Sequence, residues 1–284
     1  HYADKLSGET DEPEESIPNN QIWYTATAKV DPYWNDVFGA NIVSNTWDPT
    51  SGNGIITFDN DVTKIGKEAF YDCDNLTSVT IPDKVVTIEE KAFAQCSGLT
   101  YMHWGKSVVT IEGYAFWGSG LISVTIPDNV TSIGEWAFES CWQLVNITIG
   151  EKVTSIGDDA FGGCFTSVTI PDSVTSIGVG AFGSSYLEEF KGKFASEDGR
   201  CLIIDGTLTS FAPAGLTEYV IPSSVTSIGS SAFYYIDNLI SVTIPNSVTT
   251  ICNSAFSQCN GLTSITIPDS VISIGDAAFH ACDN

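Results

Sequence analysis

The sequence predicts one elongated, right-handed repeat solenoid with a parallel β-sheet. A strand-like xVxI pattern recurs about ten times, with its central residue at positions 56, 79, 102, 124, 147, 168, 190, 219, 242 and 265. The intervals are 21 to 23 residues, except for one of 29. Each unit also places apolar residues where it cannot cover them alone, so stacked neighbours must supply the core. Right-handed crossovers are the default for parallel strands.

One unit, Leu76 to Cys96, shows how each part of the repeat is used: LTSVTIPDKVVTIEEKAFAQC. Alternation directs Val79 inward and its two neighbours outward, as a strand requires. Pro82 ends this strand because proline cannot donate the next ladder hydrogen bond. Ile88 belongs to a second inward pair, and Phe93 follows a small alanine so that its ring can lie under the next coil.

Glycine and cysteine occupy fixed places in the repeat. A glycine after the second isoleucine indicates a backbone position with positive φ or a tight approach; it occurs at Gly66, Gly134, Gly157, Gly178, Gly229 and Gly275. The slot three residues after the phenylalanine accepts cysteine, serine or isoleucine, which favours buried, reduced thiols over disulfides. Its cysteines are Cys73, Cys96, Cys141, Cys164, Cys259 and Cys282. Without a CxxC or a histidine pair, no metal and no cofactor are expected.

Three segments are predicted along the chain. Residues 1–21 are acidic and poor in apolar groups, which is typical of a disordered leader. Residues 22–54 lack the repeat and are rich in tryptophan, tyrosine and phenylalanine, as a cap over an open end would be. Residues 55–284 form the solenoid, with a hairpin inserted at about 191–216. Asp198-Gly199 and Asp205-Gly206 indicate its turns, and the hairpin is expected to project from the solenoid.

Composition excludes several function classes. The formal net charge of −24 argues against binding nucleic acid or an anionic membrane surface. No apolar run approaches the roughly 18 residues that span a bilayer. The three histidines include no HExxH pair, and GxSxG and Walker A strings are absent, so no catalytic residue is predicted. We expect a monomer.

Two clusters depart from the serine and threonine that fill most outward strand positions. Tyr101 and His103 form the first cluster, and Glu189, Lys191 and Glu218 form the second. Because adjacent strands lie about 4.8 Å apart, the clusters are expected about 19 Å apart on the concave face. The alternative is neutral drift on an unselected face.

Trp117 and Trp142 are the remaining candidate binding residues. Both fall in variable positions around the Ala-Phe pair. An exposed indole there could stack on a sugar or anchor a protein partner.

The repeat resembles the BspA-type, or Treponema pallidum-type, leucine-rich repeat, whose pattern L-x-x-L-x-I-P-x-x-V-x-x-I-x-x-x-A-F-x-x-C is matched from Ile55 onward. The resemblance implies an α/β-type leucine-rich-repeat horseshoe and a surface or secreted protein of host-associated bacteria, often lipid-anchored. With the leader, cap and hairpin it suggests a Bacteroides-like source. The family implies adhesion to host proteins and no shared catalytic site, and no family binding residue transfers to this chain.

Three functions follow as hypotheses. The favoured one is a non-catalytic cell-surface or secreted binding protein that contacts a host protein or glycan. The second is a glycan-processing enzyme that uses Glu189 and Glu218 as its carboxylate pair. The third is a structural spacer for a further domain.

Overall fold

The computed structural model describes residues 17–163, 165–183 and 186–282. Regular structure in these ranges consists of β-strands alone, and the absence of helix there corrects the predicted α/β composition. The segment that follows each second strand is not a helix, because left-handed residues interrupt it. The right-handed sense and the curvature stay predictions.

Two rows of strands run through the repeats. The first row comprises β5 (Leu76–Thr80), β7 (Tyr101–His103), β9 (Ser123–Thr125), β11 (Asn146–Thr148), β13 (Ser167–Thr169), β15 (Glu189–Lys191), β18 (Glu218–Val220), β20 (Ser241–Thr243) and β22 (Ser264–Thr266). The second row has two-residue strands: β4 (Lys64–Ile65), β6 (Thr87–Ile88), β8 (Thr110–Ile111), β10 (Ser132–Ile133), β12 (Ser155–Ile156), β14 (Ser176–Ile177), β19 (Ser227–Ile228), β21 (Thr250–Ile251) and β23 (Ser273–Ile274).

Strands that pair within a row do so in parallel and in register, and the first row is divided between β7 and β9, between β11 and β13, and between β15 and β18. Val79 lies opposite Met102 in the first row, and Ile88 lies opposite Ile111 in the second. The second row forms an unbroken six-stranded sheet from β4 to β14. Equivalent residues of successive coils therefore face the same way, and any departure from the repeat produces a local feature on one face.

A third hydrogen-bonded row, here called the turn row, runs through the Ala-Phe segments. In one coil the N–H groups of Lys91, Phe93 and Gln95 donate to carbonyls of the next coil, over 3.2, 2.7 and 2.7 Å. Lys91 and Gln95 have φ of 58° and 61°. Left-handed residues four positions apart shape the backbone between them so that every second N–H points to the same side and reaches the next coil.

The positive φ values occur at residues other than the repeat glycines. Of the non-glycine residues with positive φ, all but Asp205 lie just before the alanine or two residues after the phenylalanine: Glu68, Asp72, Lys91, Gln95, Tyr114, Trp136, Ser140, Asp159, Ser231, Tyr235, Ser254, Gln258, Ala277 and Ala281. The repeat glycines serve close approach instead. A Cβ on Gly66 would lie 2.1 Å from the Val37 carbonyl oxygen, and one on Gly134 would lie 2.5 Å from the Gly113 nitrogen.

A column of phenylalanine rings fills the space behind the turn row. Rings of successive coils from Phe70 to Phe182 are parallel within 8°, with centroids 5.0 to 5.5 Å apart. Phe190 then meets Phe182 edge-on at 76°. A second column begins at Phe211 and continues to Phe279. The core is divided correspondingly into two clusters of buried residues.

Most described cysteines of the repeat slot bond to the backbone of the preceding coil. The thiols of Cys96, Cys141 and Cys259 are buried, and each donates to the carbonyl of the previous repeat phenylalanine over 2.8 to 3.2 Å. Cys282 donates the equivalent hydrogen bond over 3.0 Å. Cys73 and Cys282 are half-buried. All five are free thiols, whereas Cys164 lies outside the described residues.

An N-terminal sheet covers the first coil. It contains β1 (Gln21–Ala26), β2 (Ile42–Trp47) and β3 (Asn53–Phe58) in the order β2-β3-β1-β5-β7. Antiparallel β1 hydrogen-bonds to β5 and so occupies the free edge of the first row. Phe38, fully buried, contacts Phe58 and Phe70 and extends the phenylalanine column into this segment.

Two predicted details change at this end. Ile56 was expected in the first repeat strand, but its strand β3 is separated from β5 by β1, which leaves about nine coils rather than ten. Of the predicted leader, residues 1–16 lie outside the described residues, and residues 17–21 belong to the fold. Ile17 is buried, and Gln21 begins β1.

The inserted hairpin comprises β16 (Cys201–Ile204) and β17 (Thr207–Phe211). Asp205 and Gly206 at its turn have φ of 48° and 78°, as a type I′ turn requires, which confirms this turn prediction. The expectation that the hairpin projects is wrong. Strand β17 pairs in parallel with β19 and takes a place in the second row, because its backbone can continue the ladder there.

Replacing a left-handed serine of the turn row by glycine should stabilise the protein. Ser254 has φ of 55°, a conformation that costs an L-residue roughly 1 kcal/mol and glycine almost nothing. We expect Ser254→Gly to raise the free energy of unfolding by about 1 kcal/mol, measured by chemical denaturation. Ser223→Gly, in an exposed turn of ordinary φ, is the control. Equal effects at the two sites would contradict the assignment of strain to the turn row.

The buried repeat thiols should resist modification until the protein unfolds. Burial raises the pKa of Cys141 and of Cys259 to about 12, so both stay protonated and unreactive at neutral pH. Mass spectrometry after alkylation should find Cys96, Cys141 and Cys259 unlabelled in the native protein and labelled in denaturant. Labelling of these three without denaturant, or only after a reductant is added, would contradict the structure.

Candidate functional site

Tyr101 and His103 lie on the outward face of β7. The Tyr101 side chain is 58% exposed, His103 is half-buried, and Met102 between them is in the core. Parallel pairing places Tyr101 beside Ser78 of the preceding coil. The strand thus presents an aromatic ring and an imidazole where the neighbouring strands carry hydroxyl groups.

Glu189 and Lys191 share the outward face of β15. Two residues apart on one strand, they form an ion pair with 2.7 Å between Lys191 Nζ and Glu189 Oε1. Both side chains are about half exposed, so the pair contributes at most about 1 kcal/mol to stability. The two charges neutralise each other, which leaves little net charge for a ligand to recognise.

Glu218 lies on β18, the first-row strand after the inserted segment, and Glu189 lies on β15, the strand before it. The strands β15 and β18 belong to different sheets, and the inserted chain bonds to both of them. The Phe190 N–H donates to the Gly199 carbonyl over 2.7 Å, and the Tyr219 hydroxyl donates to Asp198 Oδ2 over 3.1 Å. The 29-residue interval therefore interrupts the first row at this place.

Trp142 is the most exposed tryptophan of the repeats, at 67%. It lies in the turn before β11, directly after the buried Cys141. Ile122 and Val145, which occupy equivalent positions of neighbouring coils, are also exposed and are joined by a 3.0 Å backbone hydrogen bond. Exposed apolar residues on successive coils are typical of an interaction surface.

Trp117 belongs to an aromatic group on the turn row, away from the first-row face. Its ring meets Tyr114 edge-on, with 6.4 Å between centroids. Tyr114 stacks on Trp136 of the next coil at 5.9 Å, with planes 4° apart. The Lys91 ammonium lies 5.5 Å from the Tyr114 ring centroid. Lys91, Tyr114 and Trp136 hold equivalent positions of three successive coils.

Two carboxyl groups lie near Trp136: Asp159 holds the equivalent position of the next coil, and Glu139 follows the phenylalanine of Trp136's own coil. Glu139 is largely buried, and burial together with the charge of Asp159 raises its pKa to about 7, opposed by the Ser140 N–H. Burial and the neighbouring Asp158 raise the pKa of Asp159 as well. Within the described ranges neither Glu139 nor Asp159 forms an ion pair.

An open groove of about 590 Å³ lies beside the aromatic group, across the second row. Its floor is formed by outward residues of β8, β10 and β12, and three glutamates reach its lining. The lining residues are Glu90, Thr110, Ile111, Glu112, Gly113, Tyr114, Ser132, Ile133, Gly134, Glu135 and Ser155. This groove was not predicted, although reading the position before each alanine down the repeats would have found Tyr114 and Trp136 in adjacent coils.

Among the residues described, no group of three or more His, Cys, Asp or Glu side chains is placed to hold a metal ion. None of the described chain forms a helix long and apolar enough to cross a bilayer.

A family model described as BspA type leucine-rich repeat region matches residues 63–188 and 208–284, in six copies. No curated protein matches the sequence. The match leaves out 189–207, which contains β15, the Asp198 turn and β16. The inserted segment is thus the part of the repeat region that departs from the family pattern.

Solved structures of bacterial proteins are similar to this chain. A leucine-rich cell surface protein from Faecalibacterium prausnitzii is 31% identical over 78% of the chain, with a TM-score of 0.64. A leucine-rich repeat protein from Bacteroides ovatus is 27% identical over 78%, with a TM-score of 0.58. This chain covers 62% of each of those proteins. The pneumococcal vaccine antigen PcpA, at 20% identity and a TM-score of 0.64, shares the fold.

Removing the Glu139 carboxylate should flatten the pH dependence of stability. An unfolded glutamate releases its proton near pH 4.3, whereas folded Glu139 holds it to about pH 7. Its contribution to stability is therefore full below about pH 4.3 and is lost as the pH rises to about 7. With allowance for solvent screening, Glu139→Gln should stabilise the protein by about 1 kcal/mol at pH 8 and little at pH 5.

Thermal unfolding of both proteins at the two pH values measures this difference. Glu135→Gln removes an exposed carboxylate of the same coil and controls for the change in net charge. A gain that is the same at both pH values, or that Glu135→Gln reproduces, would contradict the assignment.

Proposed function

Because this chain belongs to the BspA-type leucine-rich repeat family, we propose that it is a non-catalytic binding protein, lipid-anchored at the cell surface or secreted, which contacts a host protein or glycan. The surface location is supported by the Faecalibacterium relative, which is described as a leucine-rich cell surface protein. A binding protein held at the cell surface would serve in adhesion.

The observation that carries this proposal is an exposed aromatic side chain on a rigid, regular face. Tyr101 is held by β7, whose backbone is hydrogen-bonded to β5 and whose Met102 is anchored in the core. A large side chain fixed in this way loses little conformational entropy on binding, which is why tyrosine and tryptophan dominate binding energy. Trp142 offers a second such ring.

The structure favours binding over the glycan-processing alternative. Two catalytic carboxylates must flank the scissile bond within about 5 to 10 Å of each other. Glu189 is engaged with Lys191, and Glu218 lies on a strand of a different sheet beyond the inserted chain.

Arrays of host matrix proteins and of glycans, screened with the wild-type chain, would identify the ligand. Tyr101→Ala/His103→Ala should weaken binding about tenfold, because truncating a buried aromatic contact typically costs 1 to 2 kcal/mol. A Glu189→Ala/Lys191→Ala/Glu218→Ala variant and Trp142→Ala test the other candidates. Ser241→Ala/Thr243→Ala, at equivalent positions of β20, is the matched control.

Affinity is measured by biolayer interferometry once a ligand is found, and thermal unfolding checks that each variant is folded. Equal affinity for the wild type and all variants would reject the first-row face and Trp142 as binding surfaces. Turnover of an arrayed glycan, seen as a released product, would reject the non-catalytic assignment.

A further inference from the structure

The groove across the second row has walls of different chemistry. Along its floor the outward hydroxyls of Thr110, Ser132 and Ser155 belong to three successive coils. Glu90, Glu112 and Glu135 line it, and its lining includes no lysine or arginine. At one side stands Tyr114, with its ring stacked on Trp136.

The aromatic side already attracts a cation within the molecule. Lys91 Nζ lies over the Tyr114 ring, 5.5 Å from its centroid. The same ammonium lies 3.5 Å from Glu90 Oε1, so it contacts the negative face of the ring and a carboxylate of the groove together. This arrangement shows that the edge of the groove accommodates a positive charge over an aromatic plane.

The carboxylates near the groove differ in how far they are already compensated. Glu90 is paired with Lys67 and Lys91 at one end. Toward the opposite end Glu112 and Glu135, which line the groove, form no ion pair in the described chain. The charge is therefore least compensated on the Trp136 side of the groove, and a cation arriving from outside would gain most there.

We propose that this groove binds an extended, arginine-bearing peptide segment of a partner protein. A guanidinium suits the site better than an ammonium because its planar fork can bond a carboxylate through two parallel hydrogen bonds beside the aromatic wall. Coils two apart are separated by about 10 Å, and a segment in the extended polyproline II conformation places residues i and i+3 on the same side about 9 Å apart. Arginine at every third position would thus meet every second coil.

This site is distinct from the first-row face of the proposed function, and it fits a different ligand class. The groove is on the second row, whereas Tyr101 and His103 lie on the first. A chain with a net charge of −24 also attracts a positively charged peptide at long range. The experiment must therefore separate the groove from the general attraction of an acidic protein.

Fluorescence anisotropy with a labelled nonapeptide, Arg-Gly-Ser repeated three times, tests the proposal. Glu112→Gln/Glu135→Gln should weaken binding about tenfold, since each lost partly exposed ion pair contributes severalfold. The control is Asp83→Asn/Asp128→Asn, which removes the same charge from turns after β5 and β9. These aspartates accept backbone N–H groups of the next coil, and asparagine keeps that acceptor.

The aromatic contribution is tested with Trp136→Asn, because asparagine tolerates the φ of 59° at this position. It should weaken binding severalfold, whereas Trp142→Asn should not. A peptide with citrulline in place of arginine should not bind. Should the double glutamine variant unfold on heating earlier than the wild type, the single exposed Glu135→Gln serves instead.

Two results would overturn the proposal: an equal loss for the Asp83/Asp128 control, which would show general charge attraction alone, or full binding retained by the groove variants. Tyr101→Ala/His103→Ala should leave peptide binding unchanged. Different variants therefore test the proposal for the groove and the proposal for the first-row face, and either can be rejected without the other.

Discussion

Each coil must cover the apolar side chains of the preceding coil, and its carbonyl groups must accept hydrogen bonds from the N–H groups of that coil. The rest of the structure depends on packing and hydrogen bonding having the same register. The phenylalanine column and the turn row show the coupling. Phe93 stacks on Phe116 with planes 6° apart, while its N–H donates to the Ala115 carbonyl. Side-chain packing and backbone bonding thus require the same register, and a coil that shifted would lose both at once.

That requirement explains why some features could be predicted from the sequence. Inward residues such as Val79 and Ile88 recur because each contacts its equivalents above and below, so period and alternation revealed both rows. The buried slot three residues after the phenylalanine could also be predicted, since serine and cysteine, as at Ser119 and Cys141, are both small and can both donate a hydrogen bond. In fact Ser119 Oγ lies 3.3 Å from Cys141 Sγ in the buried column.

Other features could not be predicted, because they depend on the neighbouring coil rather than on the residue itself. Glu68, Lys91 and Trp136 have little intrinsic preference for positive φ, and they adopt it because alternate N–H groups must point toward the next coil. The repeat glycines suggested positive φ or close approach, and only contact across coils decides between these. The Asp205-Gly206 turn was readable locally, whereas the pairing of β17 with β19 is a long-range event.

The same reasoning bears on where binding residues arise. Inward positions and the turn-row backbone are committed to the ladder, so outward side chains can vary at little cost to stability. Tyr101 was recognised because it replaces a small polar residue at an outward strand position. Tyr114 and Trp136 were not predicted as a pair, because the position before the alanine varies and its side chains were not compared between adjacent coils. Since neighbouring coils bring equivalent residues within about 5 Å, two substitutions one period apart suffice to build a continuous aromatic surface. In such a fold a binding site is recognised by departures from the repeat at one position over successive coils, rather than by a local motif.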